Sequence, residues 1–522
     1  MYSVDHIHRV ASLVGVLALA GVTIDALGTV LHVYKGESIQ AAIDAAADGD
    51  EIIVHPGTYC ETIDFVGKAV WLHSSDGVAV TTIHAEYLER VVYCTSGEGS
   101  DTQLEGFTIQ GGYVPHSEQG AGMLCIGTSP TVSHCCFFAN EGYSFTSGGG
   151  MYIDGGNPTI IGCAFVANEA RWGSGLCCTN DARPVVMDCA FESNLADTQG
   201  GGLSAWSEST PLVIGCTFQG NEAGCLGGGL HLYHQADAII INCRFSENAA
   251  DCGGGVEVSY QSNPFIVNCS FESNVAGDCG GGGLGLGEWV APEVVGCTFH
   301  HNTAGEGGAI VSASNSTVTV TNCTLFENDA GEGGGLFLNY ASAAVLDNCI
   351  LWQNKPNEID GTSGPSLKVS YSDICGGWAG PGNIDADPRF LDPEAANLRL
   401  SPGSPCIDAA RNSAVPKDSV DLDHDGDLNE PLPLDLDGRP RFVDDPDTED
   451  TGLGTPPLVD MGAYEFQICA ADVTGDGRVD VLDLLAVLSS WGQTGVPADI
   501  NFDGIVDVLD LLAVLAGWGP CG

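Results

Sequence analysis

Positive charge is scarce in this sequence. Only 16 Lys and Arg stand against 69 Asp and Glu, a formal net charge of −53. Nucleic acid is excluded as a partner on that ground, because neutralising phosphates takes cations. Long apolar runs are also missing. The apolar stretch from Ala11 to Val22 falls short of the ~20 residues a membrane span requires, and no later segment reaches that length, so the mature chain is expected to carry no span. No Cys-x-x-Cys pair suggests zinc. No Ser-His-Asp spacing, phosphate loop or dinucleotide motif occurs. Residues 102–354 lack helical 3.6 spacing and helix caps.

What the chain does have is a repeat. Cys-x-(Phe/Leu)-x-x-Asn occurs nine times, beginning at Cys135, Cys163, Cys189, Cys216, Cys243, Cys269, Cys297, Cys323 and Cys349, in steps of 26–28 residues. A near-constant period of this size marks a solenoid, in which each repeat contacts only its neighbours. Each copy holds a glycine run, a short alternating strand, a turn, a β-branched strand and the Cys/Phe/Asn segment, as in Gly227 to Asn248. Period-two alternation argues for strands with one buried face. Three short strands per coil, stacked in parallel, predict an all-β fold, a right-handed parallel β-helix.

Stacking turns every repeat position into a column. The column Asn140 to Asn354 is expected to bond amide to amide, and the column Phe137 to Phe299 to stack inside. The nine repeat cysteines are expected to point inward as small hydrophobes. A second column, Cys225, Cys252 and Cys279, brings neighbours near the short end of disulfide geometry, so some stacked pairs are candidates for oxidation. The glycine-glycine-aliphatic and Phe-x-x-Asn repeats resemble those of polymorphic outer-membrane proteins and, more broadly, the right-handed β-helices of the pectin-lyase-like superfamily.

The ends differ from the repeats. Residues 1–28 read as a secretory signal, with Arg9 in the leading region and Ala26-Leu27-Gly28 at a cleavage site. The mature chain is therefore expected to be secreted, extracellular or attached to a cell surface. Ile39, Ala42 and Ile43 share one face of a short predicted helix, followed by a strand and Pro56-Gly57. This segment resembles the N-terminal cap of pectin-lyase-like β-helices, which hides the open sheet edge. The β-helix is placed at 29–390 and a closing segment at 391–467. Leu398 to Asp408, Asp435 to Arg441 and Val459 to Glu465 make that segment similar to the closing region of choice-of-anchor Q proteins. Between them, Asp421, Asp423, Asp425 and Asp427 alternate around Gly426. A hard cation and a solvated acidic loop are the two readings there, with Leu432 at the twelfth position, where a bidentate acid would sit.

Residues 468–522 carry the clearest chemistry. Asp472, Thr474, Asp476, Arg478, Asp480 and Asp483 repeat 27 residues later as Asp499, Asn501, Asp503, Ile505, Asp507 and Asp510. Positions 1, 3, 5, 9 and 12 supply side-chain oxygens, Arg478 and Ile505 a carbonyl at position 7, and Gly477 and Gly504 the turn at position 6. That is EF-hand spacing for Ca2+. The pair resembles a type I dockerin, a small α-helical calcium-binding domain in which each loop feeds one helix. The resemblance implies a cohesin-like partner. A cell-surface anchor or a calcium-stabilised cap is the alternative. Val481-Leu482 and Val508-Leu509 occupy the partner-choosing positions, as a docking face or as helix core. Cys469 and Cys521 flank the module and could form a clasp.

An aromatic falls close to the same phase of most coils. Tyr152, Trp206, His231, Tyr233, Tyr260, Trp289 and Tyr340 form a candidate strip for sugar rings, against the alternative of scattered surface aromatics. Glu208 and Glu257 lie two coils apart, ~9.6 Å at the strand spacing, near the upper limit for an inverting glycosidase's acid and base. Whether the chain is an enzyme stays open. A lyase that holds a polyanion through basic residues fits poorly, since Arg171, Arg183 and Arg244 are the only cations in 120–350. Three functions follow: a glycan- or surface-ligand-binding protein, a polysaccharide hydrolase or lyase displayed through the tail, and a structural spacer.

Overall fold

The structure, a computed structural model, describes residues 28–362, 366–467, 471–474, 478–494, 496, 498, 500 and 505–520. The segment read as a signal, apart from Gly28, therefore lies outside the described residues. The chain divides into two compact units, Met1–Leu346 with Leu351–Lys368, and Asp347–Ile350 with Val369–Gly522.

The first unit is a parallel β-helix. Strands of successive coils pair in register, so like residues stack. Ile160, Val186, Val213, Ile240, Ile266, Val294 and Val320 form one inward column. The phenylalanines form another, with ring centroids 4.4–5.0 Å apart from Phe137 to Phe299. A 12-stranded sheet runs from Ile63–Asp64 to Ile359–Gly361 and buries Leu203, Leu230 and Val256 on its inner face. The short helix Ile39–Ala45 begins at Ser38, which caps it, and buries Ile39 and Ile43.

Each coil in the middle of the solenoid carries four strands rather than the expected three. The additional sheet has nine strands, from Tyr113–Val114 to Asp329–Glu332. Its strands bury little beyond one small residue per coil, such as Ala170, Ala196 and Ala223. So short a segment leaves no period-two signal to read.

The asparagine ladder forms as expected. Each Asn Nδ2 donates to the next coil's Oδ1 at 2.8–3.0 Å, from Asn140 to Asn354. Asn248 also donates to the Phe218 carbonyl at 2.9 Å and accepts the Asn221 backbone N–H at 3.0 Å. Glu358 ends the ladder by accepting the Asn354 N–H at 3.2 Å. Beside it, Gly229 has no room for a side chain: a Cβ would lie 2.6 Å from the Gly255 carbonyl oxygen. The repeat cysteines are buried. In the second cysteine column Cys252 and Cys279 are joined as a disulfide, while Cys225 is exposed and reduced.

The second unit holds the closing segment and the tail. Buried carboxylates organise the closing segment by accepting backbone N–H groups. Asp460 takes those of Asp408 and Phe466 at 2.8 and 2.6 Å. Glu465 takes that of Asp460 at 3.2 Å, and Asp435 that of Glu465 at 3.0 Å. Irregular backbone buried without ladders needs such acceptors. In the tail, Val481–Ser489 and Val508–Ala516 are helices. Val479 and Val506, and Val487 and Val514, pack together in its core, equivalent pairs from the two halves of the repeat.

Candidate functional sites

The first site lies on the outer side of the 12-stranded sheet. Register places Tyr152, Cys177, Ser204, His231, Glu257 and Gly285 in one column. Ser204 and His231 are fully buried and Glu257 nearly so. Burial pushes the Glu257 carboxyl up to about 8, only partly offset by Ser259 Oγ, which donates to its Oε1 at 3.0 Å. Burial pushes the His231 imidazole down to about 3, so at neutral pH it is uncharged. Neither ring nitrogen of His231 has a hydrogen-bond partner among the described residues. Gly285 makes room for the carboxylate: a Cβ there would stand 2.0 Å from Glu257 Oε2.

Above this column runs a line of aromatics. Phe145 and Trp172 have centroids 6.3 Å apart, Trp172 meets Trp206 edge-on at 5.6 Å, and Tyr233 meets Tyr260 at 5.0 Å. Trp206 and Tyr233 are register partners, which closes the line. His231 stacks on Tyr233 at 5.9 Å, and Trp206 Nε1 donates to Ser204 Oγ. The Arg171 guanidinium lies over both the Phe145 and Trp172 rings, at 4.3 and 4.8 Å.

The expected strip residues therefore separate. Trp206, Tyr233, Tyr260 and His231 come together. Tyr152 belongs to the half-hidden column, and burial raises its hydroxyl pKa. Trp289 and Tyr340 are exposed, and no ring contact joins them to another aromatic among the described residues. Phe145, Trp172 and Arg171 were not expected. They lie on the other side of the glycine run, which folds the two flanks together; an aromatic directly before such a run, as in Trp172-Gly173, was the available signal. Glu208 is exposed in a turn, four positions beyond the column that holds Glu257, whose partner two coils away is Ser204.

The second site is the tail. Asp483 and Asp510 are fully buried. Asp480 and Asp507 cap the two helices, each in a reciprocal capping box with its buried partner. Asp483 Oδ1 accepts from both the backbone N–H and the hydroxyl of Thr474, at 2.9 Å each, and the hydroxyl lies 3.3 Å from Asp472 Oδ1. Asp472, Thr474 and Asp483 thus converge, and an all-oxygen donor set suits a hard cation. Arg478 lies in a short strand paired with Gly519–Pro520, Ile505 leads into the second capped helix, and Asp476, Asp499, Asn501 and Asp503 lie outside the described residues, as do Cys469 and Cys521. Val481, Leu482, Val508 and Leu509 are exposed, not core, at 52%, 51%, 51% and 52%. Leu485 and Leu488, with Leu512 and Leu515, extend this exposed apolar set along the two helices, and Trp491 and Trp518 are exposed just beyond their ends.

The third site is the acidic loop. Asp421, Asp423 and Asp425 present oxygens within 4.8 Å of one another, and so do Asp418, Asp423 and Glu430. Asp418 is fully buried, its Oδ2 accepts the Leu422 N–H at 2.7 Å, and its Oδ1 has no hydrogen-bond partner among the described residues. The two groups share Asp423, and through it Asp418 and Glu430 join the expected set. Asp427 instead accepts the Asn429 N–H at 3.0 Å.

The model of the right handed beta helix region matches residues 59–223 and 201–374. The chain belongs to the right-handed β-helix family. No curated protein matches its sequence. Among solved β-helix structures, it is similar to the pectate lyase Pel9A, with 14% identity, a TM-score of 0.36, and coverage of 85% of this chain and 98% of that one. It is also similar to a double mutant of the periplasmic alginate epimerase AlgG, with 11% identity, a TM-score of 0.38, and coverage of 65% and 82% respectively.

Proposed function

We propose that this is a secreted or cell-surface β-helix protein that binds glycan or another surface ligand along its aromatic line. Its calcium-dependent tail docks it to a cohesin-like protein or to a cell-surface component. The line from Phe145 to Tyr260 carries the first half of this proposal. Aromatic side chains stepped along the solenoid can pack on successive sugar rings, each combining an apolar face with a polar edge. The convergent oxygens of the tail and of the acidic loop support Ca2+ at both. The exposed apolar face of the two tail helices supports docking rather than a core role.

A polysaccharide hydrolase or lyase is the second reading, favoured by Glu257. A carboxyl with its pKa near 8 keeps its proton at neutral pH and can act as a general acid. A glycosidase also needs a second carboxylate opposite it, and Glu208 is the sequence candidate, although it lies off the column. Incubating the secreted chain with a polysaccharide panel and calcium separates the readings. Retention without new reducing ends or unsaturated products supports binding. Product formation that disappears in Glu257→Gln supports the enzyme. Neither retention nor products on any of the panel leaves the spacer as the better account.

A further inference from the structure

We propose that Asp408, Asp444 and Asp450 form a divalent-cation site, separate from the tail and from the acidic loop, that takes calcium and fastens the 444–452 loop onto the closing segment. Asp408 lies far in sequence from Asp444 and Asp450, yet each of the three offers a carboxylate oxygen within 4.8 Å of the other two. Calcium–oxygen bonds of about 2.3–2.6 Å put oxygens on opposite sides of an ion about 5 Å apart, so this spacing fits one ion between them. Asp408 is fully buried. Its Oδ2 accepts the Asp445 N–H at 3.1 Å, and its Oδ1 has no hydrogen-bond partner among the described residues. A buried carboxylate oxygen without a donor is costly unless something positive meets it. The charges that act most on it are those of Asp444, Asp450 and Asp445, all negative.

Asp444 and Asp450 are exposed, so an ion can reach the site from solvent. The donors are oxygen only, which favours calcium over zinc or copper. The backbone already wraps the site: Thr451 and Gly452 donate their N–H groups to the Asp408 carbonyl at 3.1 and 3.0 Å. The loop between carries Asp444, Asp445, Asp447, Glu449 and Asp450. Without a cation, that density of charge opposes the fold of the loop; with one, Asp408 becomes the knot that holds residues 444–452 beside Asp460.

The test counts ions on the full chain. Wild type, Asp444→Asn/Asp450→Asn and, as a control for the acidic loop, Asp421→Asn/Asp423→Asn are stripped with a chelator and dialysed against calcium alone. Limited proteolysis of the 444–452 loop is followed in parallel. The proposal expects the 444/450 variant to bind one ion fewer than wild type, and calcium to slow cleavage of the loop in wild type and in the 421/423 control but not in the 444/450 variant. Equal ion counts in wild type and the 444/450 variant, with calcium protection retained, overturn it. Asp450→Asn alone leaves the Asp408–Asp445 bond in place and guards against a folding defect: it must lose the same ion. Because the result is a difference between chains, it is independent of how many ions the tail and the acidic loop hold.

Discussion

His231 stands directly opposite Glu257 on the neighbouring coil, an uncharged imidazole in register with a carboxyl that keeps its proton at neutral pH. Both shifts have burial as their largest cause, and they act on stability in opposite directions. The folded Glu257 holds its proton up to about 8, while an unfolded one releases it near 4.5, so this group favours the fold below 4.5 and that contribution is lost as pH rises to 8. The folded His231 is neutral down to about 3, while an unfolded one takes a proton below 6.5, so its contribution is present above 6.5 and is lost as pH falls to 3. Glu257→Gln is expected to flatten the loss of stability between pH 6.5 and 8, where His231 no longer titrates in either state. Thermal midpoints of the two proteins across that range check this, and parallel curves would remove Glu257 as the cause.

Gly285→Ala tests the space around the same carboxylate. A Cβ there meets Glu257 Oε2 at 2.0 Å and the Gly253 backbone at 3.0 Å. Overpacking of this kind costs about 1–3 kcal/mol. Gly285→Ala combined with Glu257→Ala should recover part of the loss, as a double-mutant cycle on denaturant midpoints would report.

The asparagine ladder is expected to hold the coils together through buried amides. Asn248→Ala deprives the Asn221 side-chain and backbone N–H groups of their shared acceptor and the Phe218 carbonyl of its amide donor. Each orphaned group costs about 1–3 kcal/mol, so a total loss of about 3 kcal/mol or more is expected. Gln219→Ala, on an exposed strand position, should stay within about 0.5 kcal/mol. Chemical denaturation of both variants gives the comparison.

Calcium removal should act on the tail helices first. Asp483→Asn with Asp510→Asn keeps the shape of both buried side chains and removes their charge. Circular dichroism of the full chain is expected to gain helical signal with calcium in wild type and not in this variant. Leu485→Asp with Leu512→Asp, on the exposed face, should leave that gain intact and abolish retention of the chain by its docking partner.

The solenoid was legible because its period is written in large residues. Cysteine, phenylalanine and asparagine recur where the coil must turn inward, and one ladder position predicts the next. The fourth sheet was not legible, because strands such as Glu222–Ala223 are too short to alternate. Part of the aromatic line was visible: Trp206 and Tyr233 follow the glycine run in phase, and Tyr260 follows it one position later. Trp172 and Arg171 precede it, and only the fold shows that the two flanks meet. Likewise Asp421, Asp423 and Asp425 announced themselves by spacing, whereas Asp418 and Glu430 join them through a turn that brings the Asp418 N–H to the Glu430 carbonyl at 2.8 Å. Asp408, Asp444 and Asp450 share no local pattern at all.

Ligand binding along the aromatic line is the central claim, and affinity electrophoresis of wild type beside Trp206→Ala and Tyr260→Ala, across a panel of polysaccharide gels with calcium, tests it most directly. The account predicts that at least one polysaccharide retards wild type and that each substitution weakens this retardation by about tenfold, equal to about 1.4 kcal/mol, while Trp289→Ala, off the line, leaves it unchanged. Retardation that survives both substitutions, or that falls equally in Trp289→Ala, would contradict it.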